Sequence, residues 1–245
     1  DLEDGCPADQ KVLAREELIN LLKENAFTKP VFIRVNDAME AIGREDIDAI
    51  SPYQDQIEAI ILPKTQSFDF LATLAPMIDF SNKLVPLIET PRAIDTVTQI
   101  AAFKDVVGLF FGAADSSASL GCKLAWEPLL YARQKVVLAA AMYNLFTIDA
   151  PFFYMDDKEG LKKEAEAVKN LGFTGKAAIH PDQIDFINES FAPTSEEIAE
   201  GKKVLEEYQK SGGGAVKIDG QMVDEPIAEA MRLKISLGEE EENED

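Results

Sequence analysis

The chain has 245 residues, of which 46% are apolar, so it is large and apolar enough to bury one substantial core. Its 45 acidic and 24 basic residues give a formal charge of -21, which repels phosphates and anionic membranes and argues against nucleic-acid or membrane partners. Its two cysteines, Cys6 and Cys122, are too few for a disulfide scaffold, and no apolar stretch approaches the ~18 residues of a membrane span. A reduced, intracellular compartment is expected.

Seven apolar runs look like buried strands or strand ends, and each leads into polar residues. The runs are 1–2, 31–33, 59–62, 84–88, 106–111, 146–148 and 177–179. The ionisable residues that follow them include Glu3, Arg34, Lys64, Glu89, Asp115, Asp149 and His180. Chemistry collects at the carboxyl ends of the strands in an α/β barrel, so this repeated pattern predicts an active-site rim.

Helical patterns separate these runs, over residues 7–23, 37–42, 68–80, 92–103, 127–144 and 157–171. Strands that alternate with helices predict an α/β fold, here a (β/α)8 TIM barrel. Seven strand ends are one fewer than eight, and residue 1 is Asp. We therefore expect that the first βα unit is missing from this sequence.

The pattern changes after Phe191, where a helix-start signal at Thr194 predicts a helix to about Lys210. A flexible joint at 211–214 comes next, and then a β-hairpin that turns at Asp219-Gly220. A last helix is predicted to end near Gly238. The expected domains are a catalytic barrel over 1–192, a helix-hairpin-helix lid over 193–238 and an acidic tail over 239–245.

Glu89 and Asp115 are the sharpest candidates for a functional site. Each carboxylate follows an apolar strand, where a negative charge is not buried without a positive partner. Two carboxylates on one rim suit Mg²⁺, which takes one or two carboxylates and leaves its other positions to water and substrate. The alternative is that each carboxylate forms a salt bridge at its own strand end.

Arg34 and Lys64 also follow strands, and each has two interpretations. The Arg34 guanidinium could bind a carboxylate or an oxyanion, or it could form an internal ion pair with Asp1, Glu3 or Asp4. Lys64 could be a charge partner, or the nucleophile of a metal-free Schiff-base aldolase.

Asp224 lies in the predicted lid and is a candidate functional residue. Its structural alternative is to act as the N-cap of the helix that begins near Pro226. His180 is the single histidine, which excludes a centre built on several histidines.

An ordered set of segments resembles the citrate lyase β-subunit and malyl-CoA lyase group of the HpcH/HpaI aldolase family. The first segments are Asp1-Leu2-Glu3-Asp4-Gly5, Lys11, Ala14-Arg15, Ile33-Arg34-Val35-Asn36, Leu62-Pro63-Lys64, Leu87-Ile88-Glu89-Thr90 and Phe111-Gly112 with Asp115 and Gly121. The later segments are Ala132-Arg133, Gly172-Phe173, Gly175-Lys176, Ile179-His180-Pro181, Gln183-Ile184 and Asp219-Gly220-Gln221-Met222-Val223-Asp224 with Pro226.

The resemblance implies a barrel that is usually trimeric, with Glu89 and Asp115 holding Mg²⁺ and, with Arg34, binding the substrate. It implies that Arg34 stabilises the reacting oxygen and that Asp224 is a catalytic aspartate on the lid. The remaining implied positions, which brace the metal site or supply charge to it, are Glu3, Asp4 and Lys64. Relatives usually carry a second acid after the metal aspartate, whereas residues 116–119 here are Ser-Ser-Ala-Ser.

The function implied is cleavage of a 3-hydroxy-dicarboxylyl-CoA thioester (malyl-CoA, methylmalyl-CoA or citramalyl-CoA) to an acyl-CoA and a 2-oxo acid. Mg²⁺, or Mn²⁺ in its place, is the expected cofactor, and coenzyme A enters as part of the substrate. Three alternatives stay open: a Schiff-base aldolase that uses Lys64, a citrate lyase β-type subunit that acts on an acyl-carrier protein, and an inactive binding protein. We expect a cytoplasmic homotrimer, or one in the mitochondrial matrix if the source is an animal.

Overall fold

The computed structural model describes residues 1–78, 80, 83–212 and 214–241 of the protein. They divide into two compact units. The first contains residues 1–156 and 167–179, and the second contains residues 157–166 and the chain from 180 onwards. The functional boundaries at 192 and 238 remain predictions.

Six strands of the first unit form one sheet. They are β1 (Phe32–Arg34), β2 (Ala59–Leu62), β3 (Leu84–Ile88), β4 (Gly108–Phe111), β5 (Phe146–Asp149) and β6 (Gly175–Lys176). Eight α-helices alternate with them or precede them: α1 (Lys11–Lys23), α2 (Ala41–Ile50), α3 (Phe68–Leu74), α4 (Pro91–Asp95), α5 (Val97–Ala101), α6 (Ala113–Leu120), α7 (Trp126–Tyr143) and α8 (Lys158–Leu171). Short 3-10 helices cover Ser51–Gln56 and Ala75–Met77.

The six strands lie in sequence order, and every neighbouring pair is parallel. Parallel strands joined by helices build a curled sheet whose carboxyl ends share one edge. The predicted α/β class is therefore confirmed, whereas closure into an eight-stranded barrel stays a prediction.

Both faces of the central strands are buried, as a parallel sheet covered by helices requires. Every residue of β2 and β3 is buried. On one face, side chains from neighbouring strands form a single apolar cluster of Ala59, Ile61, Val85 and Leu87. The Phe32 and Phe146 rings stack edge to face with centroids 5.8 Å apart.

Two predicted strand positions are wrong. Residues 1–2 are not a strand, although the Leu2 N–H donates a hydrogen bond to the carbonyl of Arg34 in β1, at 2.9 Å. The strand predicted at 177–179 lies earlier in the chain, as β6. The residue that anchors this strand in the core is Lys176, whose buried side chain forms an ion pair with Asp149. The apolar run after Lys176 is not part of the sheet, and Ile179 in it is exposed.

Three helix predictions are also wrong in their bounds. Residues 37–40 are not helical, and α2 begins at Ala41 and runs to Ile50. The helix predicted over 92–103 is two short helices that meet at Thr96. The helix predicted over 68–80 ends as α3 at Leu74, before a 3-10 turn, and residue 79 lies outside the described residues.

The second unit has a small core of its own. Its elements after a 3-10 turn at Pro181–Gln183 are α9 (Ile184–Phe191), α10 (Ser195–Lys210), β7 (Val216–Ile218), β8 (Gln221–Val223) and α11 (Glu225–Glu241). Apolar side chains of α10, the hairpin and α11 pack together: Val204, Tyr208, Ile218, Val223 and Ala228.

Local signals account for the hairpin and for the start of α10. Thr194 and Glu197 form the reciprocal hydrogen bonds of a capping box. Asp219 and Gly220 both have positive φ, as the two central residues of a type I′ turn require. The last helix continues to Glu241, so residues 239–241 of the predicted tail are helical. Residues 242–245 of that tail lie outside the described residues, as does Gly213 of the predicted joint.

Among the described residues, no helix is long and apolar enough to cross a membrane.

A buried ion cluster ties β5, β6 and α7 together. The Asp149 carboxylate, which is fully buried, accepts hydrogen bonds from Nε of Arg133 at 2.7 Å and from Nζ of Lys176 at 2.9 Å. The Arg133 guanidinium also lies against the rings of Trp126 and Phe111, at 4.8 and 5.2 Å from their centroids. Asp149 therefore neutralises buried cations and belongs to the core.

Because removing one partner leaves buried charge without compensation, we expect Asp149→Asn to lower the free energy of unfolding by about 3–5 kcal/mol. Chemical denaturation followed by circular dichroism measures this change. Asp95→Asn is the matched control, since Asp95 pairs with Lys135 at 3.5 Å on the surface and should contribute less than about 1 kcal/mol. A loss at Asp149 no larger than that at Asp95 contradicts the prediction.

Candidate active site

Glu89 follows β3 directly, and its side chain is only 4% exposed. The next residue, Thr90, caps α4 by accepting a hydrogen bond from the N–H of Ala93 at 3.1 Å, so Glu89 sits at a sharp strand-to-helix junction. One carboxylate oxygen of Glu89, Oε1, accepts a hydrogen bond from the backbone N–H of Lys64 at 2.6 Å.

The backbone around Glu89 adopts unusual geometry to accommodate this carboxylate. Lys64 has a φ of 56°, in the left-handed region that side chains other than glycine rarely adopt, and this conformation accompanies the hydrogen bond to Glu89. Gly112 leaves room on the other side, because a Cβ there would lie 2.6 Å from the Cβ of Glu89. Strained backbone that surrounds one side chain is typical of functional sites.

Burial raises the pKa of Glu89 from its ordinary 4.5 to about 7. Burial is the largest cause of this rise in pKa; the Lys64 N–H and the Arg34 charge oppose it in part, and the negative charges of Asp115 and Glu3 add to it. Negative charge thus exceeds positive charge around Glu89, which is the condition that a bound cation would relieve.

Asp115 lies in the first turn of α6, four residues beyond the end of β4. The side chain is exposed, and its carboxylate has no hydrogen-bond or ion-pair partner in the part of the chain that the structure describes. The expected alternative, a salt bridge at the strand end, is therefore not what the structure shows for Asp115.

Glu89 and Asp115 line one cavity of about 430 Å³. The other residues that line it are Asp37, Met39, Lys64, Gln66, Phe70, Thr90 and Ser119. Of the predicted site residues, the cavity thus contains Glu89, Asp115 and Lys64. Sequence reasoning missed Asp37, which the predicted helix over 37–42 had concealed; its place three residues after Arg34 was the available signal.

Arg34 forms the internal ion pairs that were one of its two interpretations. Its Nε and Nη2 atoms reach the two carboxylate oxygens of Asp1 at 2.7 and 2.6 Å. Its Nη1 lies 3.2 Å from Oε2 of Glu3, which is 4% exposed. Although Arg34 does not line the cavity, its charge acts on Glu89.

Glu3 links Arg34 to Lys64, whose Nζ lies 3.8 Å from Oε1 of Glu3. Asp4 is exposed and takes part through its backbone N–H, which donates to Oε2 of Glu3 at 3.2 Å. Of the two acids expected to brace the site, Glu3 is therefore the one whose carboxylate contacts Arg34.

Asp224 belongs to the second unit, at the start of α11, and is exposed. Its Oδ1 accepts a long hydrogen bond from the N–H of Ile227 at 3.5 Å, as the expected N-cap would. His180 accepts a hydrogen bond at Nδ1 from the N–H of Asp182 at 3.2 Å.

The cavity carboxylates fit a hard, oxygen-seeking cation. No group of three or more His, Cys, Asp or Glu side chains in the described residues is arranged to enclose a metal. Mg²⁺ does not need such a cage, because it is usually held by one or two carboxylates together with water and substrate. Glu89 and Asp115 match that requirement, and the neighbouring N–H of Lys64 and charge of Arg34 compensate the Glu89 carboxylate only in part.

Comparison with known proteins identifies the family of the chain. The model of the family described as HpcH/HpaI aldolase/citrate lyase matches residues 1–181. The citrate lyase subunit beta of Haemophilus influenzae is 30% identical over 95% of this chain and 85% of its own length. The mitochondrial citramalyl-CoA lyase of Homo sapiens is 29% identical over 97% of this chain and 77% of its own.

A solved structure resembles the whole chain. The CitE protein of Mycobacterium tuberculosis, in complex with magnesium, acetoacetate and coenzyme A, superposes with a TM-score of 0.83 at 30% identity, covering 98% of this chain and 88% of that one. The family model and the full-length relatives lead to the same assignment. The chain belongs to the HpcH/HpaI aldolase/citrate lyase family, whose matched relatives are carbon–carbon lyases.

Proposed function

We propose that the protein is a Mg²⁺-dependent lyase that cleaves a 3-hydroxy-dicarboxylyl-CoA thioester to an acyl-CoA and a 2-oxo acid. The observation that carries the proposal is the pair Glu89 and Asp115 in one cavity, with more negative than positive charge around Glu89. The CitE relative, bound to magnesium and coenzyme A, supports both the metal and the thioester. Malyl-CoA, methylmalyl-CoA and citramalyl-CoA are the candidate substrates.

In this proposal Glu89 and Asp115 hold the metal through carboxylate oxygens, and with Arg34 they bind the 2-oxo acid portion. When bound, Mg²⁺ supplies a Lewis acid for the carbonyl oxygen of that acid. Lys64 keeps the Glu89 carboxylate oriented through its backbone N–H. Glu3 holds Arg34 in place, and Asp4 supports the conformation of Glu3.

Arg34 would offset negative charge on the oxygen that reacts as the carbon–carbon bond breaks. As this bond breaks, the 3-hydroxyl group loses its proton to solvent and its oxygen becomes the carbonyl oxygen of the 2-oxo acid. The electrons of the broken bond pass to the thioester portion as an enolate, which then takes a proton at carbon. Asp224 is our candidate for the group that delivers this proton, and in the condensing direction for the base that removes it.

The proposal extends to the assembly. We propose that the curled sheet completes a (β/α)8 barrel, that residues 193–238 act as a lid carrying Asp224, and that the protein is a trimer in which a lid reaches a neighbouring site. The helix-hairpin-helix order of α10, β7, β8 and α11 supports the lid, since it is a compact element with its own core.

Two further candidate functions each have an observation in their favour. Lys64 lines the cavity, as the nucleophile of a Schiff-base aldolase would. The Haemophilus relative is a citrate lyase subunit beta, which favours an acyl-carrier-protein thioester in place of free coenzyme A.

We expect Glu89→Gln and Asp115→Asn to reduce kcat by at least about 10³-fold, because each removes a charged metal ligand from the transition state. Wild type and variants are assayed with Mg²⁺ on malyl-CoA, methylmalyl-CoA and citramalyl-CoA. Glu127→Gln, at an exposed acid in the first turn of α7, is the matched control and should retain wild-type rates. Near-normal turnover by Glu89→Gln overturns the metal assignment, and inertness of the wild type toward all three thioesters favours the carrier-protein alternative.

The raised pKa of Glu89 predicts a pH-dependent stability in metal-free buffer. The Glu89 carboxyl group binds its proton more tightly in the folded state than in the unfolded state. Its favourable contribution to the free energy of unfolding is therefore complete below pH 4.5 and is lost as pH rises through about 7. In EDTA at pH 8, Glu89→Gln should therefore be more stable than wild type, by up to about 3 kcal/mol, and the difference should shrink toward pH 5. Thermal unfolding across this range measures it; a constant difference at every pH contradicts the prediction.

EDTA and borohydride separate the metal mechanism from the Schiff-base mechanism. We expect EDTA to abolish cleavage and Mg²⁺ to restore it, whereas borohydride with pyruvate should leave activity intact, because the Lys64 ammonium acts only as a charge beside Glu3. Activity assays and intact-protein mass spectrometry follow both treatments. A borohydride-trapped adduct on Lys64, absent from Lys64→Arg, establishes the Schiff-base alternative instead.

A further inference from the structure

The cavity that contains Glu89 and Asp115 is strongly acidic. Asp37 adds a third carboxylate to its lining, and Lys64 is the one cation among the described residues that line it. With one divalent cation bound, the three carboxylates and the ammonium would be neutral in sum. A bound cation could take one carboxylate of a ligand directly, but the lining offers no excess positive charge for a second carboxylate.

Asp37 is held at the cavity by its own turn. Its Oδ1 accepts a hydrogen bond from the N–H of Met39 at 2.9 Å, closing an Asx turn. Its carbonyl oxygen packs so closely on α2 that a Cβ at Gly43 would lie 2.1 Å away. Only glycine permits that approach, so the backbone of Asp37 is fixed by packing.

The residue before it is anchored independently. Asn36, 2% exposed, donates to Oδ2 of Asp46 from its backbone N–H at 2.9 Å and from its side chain at 2.6 Å. Asp46 is fully buried and also accepts a hydrogen bond from Nε of Arg15 at 2.7 Å. These two buried hydrogen bonds to one charged acceptor hold Asn36 rigidly, and Asn36 in turn restricts the movement of Asp37 away from a ligand.

The remaining lining favours a small uncharged group. Met39 and Phe70 give the cavity an apolar wall, and Ser119 adds a polar side chain without charge. A methyl group can contact such a wall without an unfavourable desolvation. A carboxylate in the same place would lose its hydrating water and would be repelled by the Asp37 carboxylate.

We propose that Asp37 determines substrate specificity, excluding 2-oxo dicarboxylates and selecting a 2-oxo monocarboxylate with a small apolar substituent, as in pyruvate. The inference rests on the proposed lyase function and deepens it by naming the product class. Asp37 acts by repelling the second carboxylate of a ligand such as oxaloacetate. The one carboxylate of pyruvate is left to the metal site.

The test measures binding of pyruvate, 2-oxobutyrate and freshly prepared oxaloacetate to the full chain with saturating Mg²⁺, by isothermal titration calorimetry. 2-Oxobutyrate controls for size, since it extends pyruvate without adding charge. The variants are Asp37→Asn and the matched control Asp48→Asn, which removes the same charge from an exposed position of α2 outside the cavity lining.

We expect wild type to bind pyruvate at least about tenfold more tightly than oxaloacetate, and Asp37→Asn to reduce that ratio about tenfold, mainly by tightening oxaloacetate. The ratio for Asp48→Asn should equal that of wild type. Thermal unfolding shows that each variant is folded. If Asp37→Asn does not unfold cooperatively, Asp37→Ser replaces it and is held to the same criterion.

Two results overturn the inference in distinguishable ways. Binding of both 2-oxo acids with a ratio that Asp37→Asn leaves unchanged refutes the role of Asp37 and leaves the lyase proposal standing. Failure of every 2-oxo acid to bind in the presence of Mg²⁺ refutes the lyase proposal and this inference together.

Discussion

The burial of the Glu89 carboxylate beside other acids is the constraint on which the candidate site depends. A buried negative charge is unfavourable unless hydrogen bonds and cations compensate for it. Here the backbone N–H of Lys64 and the charge of Arg34 compensate only in part. The folded chain thus has an affinity for positive charge at one point of the sheet edge. The strained turn at Lys64 and the absence of a side chain at Gly112 both keep the Glu89 carboxylate in place there.

A comparison of two strand ends shows why this matters. Asp149 ends β5 and Glu89 follows β3, so the sequence presents both as acids after apolar runs. Asp149 is fully buried and meets Arg133 and Lys176, and their charges leave it no need for a further cation. Glu89 meets a backbone N–H and more acids. The number of cations that reach a carboxylate decides whether it stabilises the core or remains available to a ligand.

Much of this could be predicted from the sequence, because the α/β class depends on local patterns. Apolar runs of three to six residues predicted five of the six strands of the sheet to within two residues. The capping box at Thr194 and the Asp219-Gly220 turn predicted the start of α10 and the hairpin. The family followed from an ordered set of short motifs along the whole chain.

The rest depended on contacts between distant residues. The sequence at 37–40 resembles the start of a helix, but the close packing of Gly43 and the hydrogen bonds of Asp46 help to hold it as a loop. β6 is two residues long because Lys176, a polar residue, is buried by pairing with Asp149, which no apolar pattern reveals. The place of Asp37 at the cavity also depends on a distant contact, because its carbonyl oxygen packs closely on Gly43 of α2.

The turn at Lys64 performs two tasks with different parts of one residue. The backbone amide orients Glu89, and the side-chain ammonium supplies charge beside Glu3. An amide hydrogen bond is present with any residue but proline, whereas a left-handed φ favours glycine and asparagine over branched side chains. A substitution at position 64 could therefore change the side chain and its charge while the Glu89 carboxylate kept its orientation, so that the orientation of this carboxylate and the charge around it are separable properties.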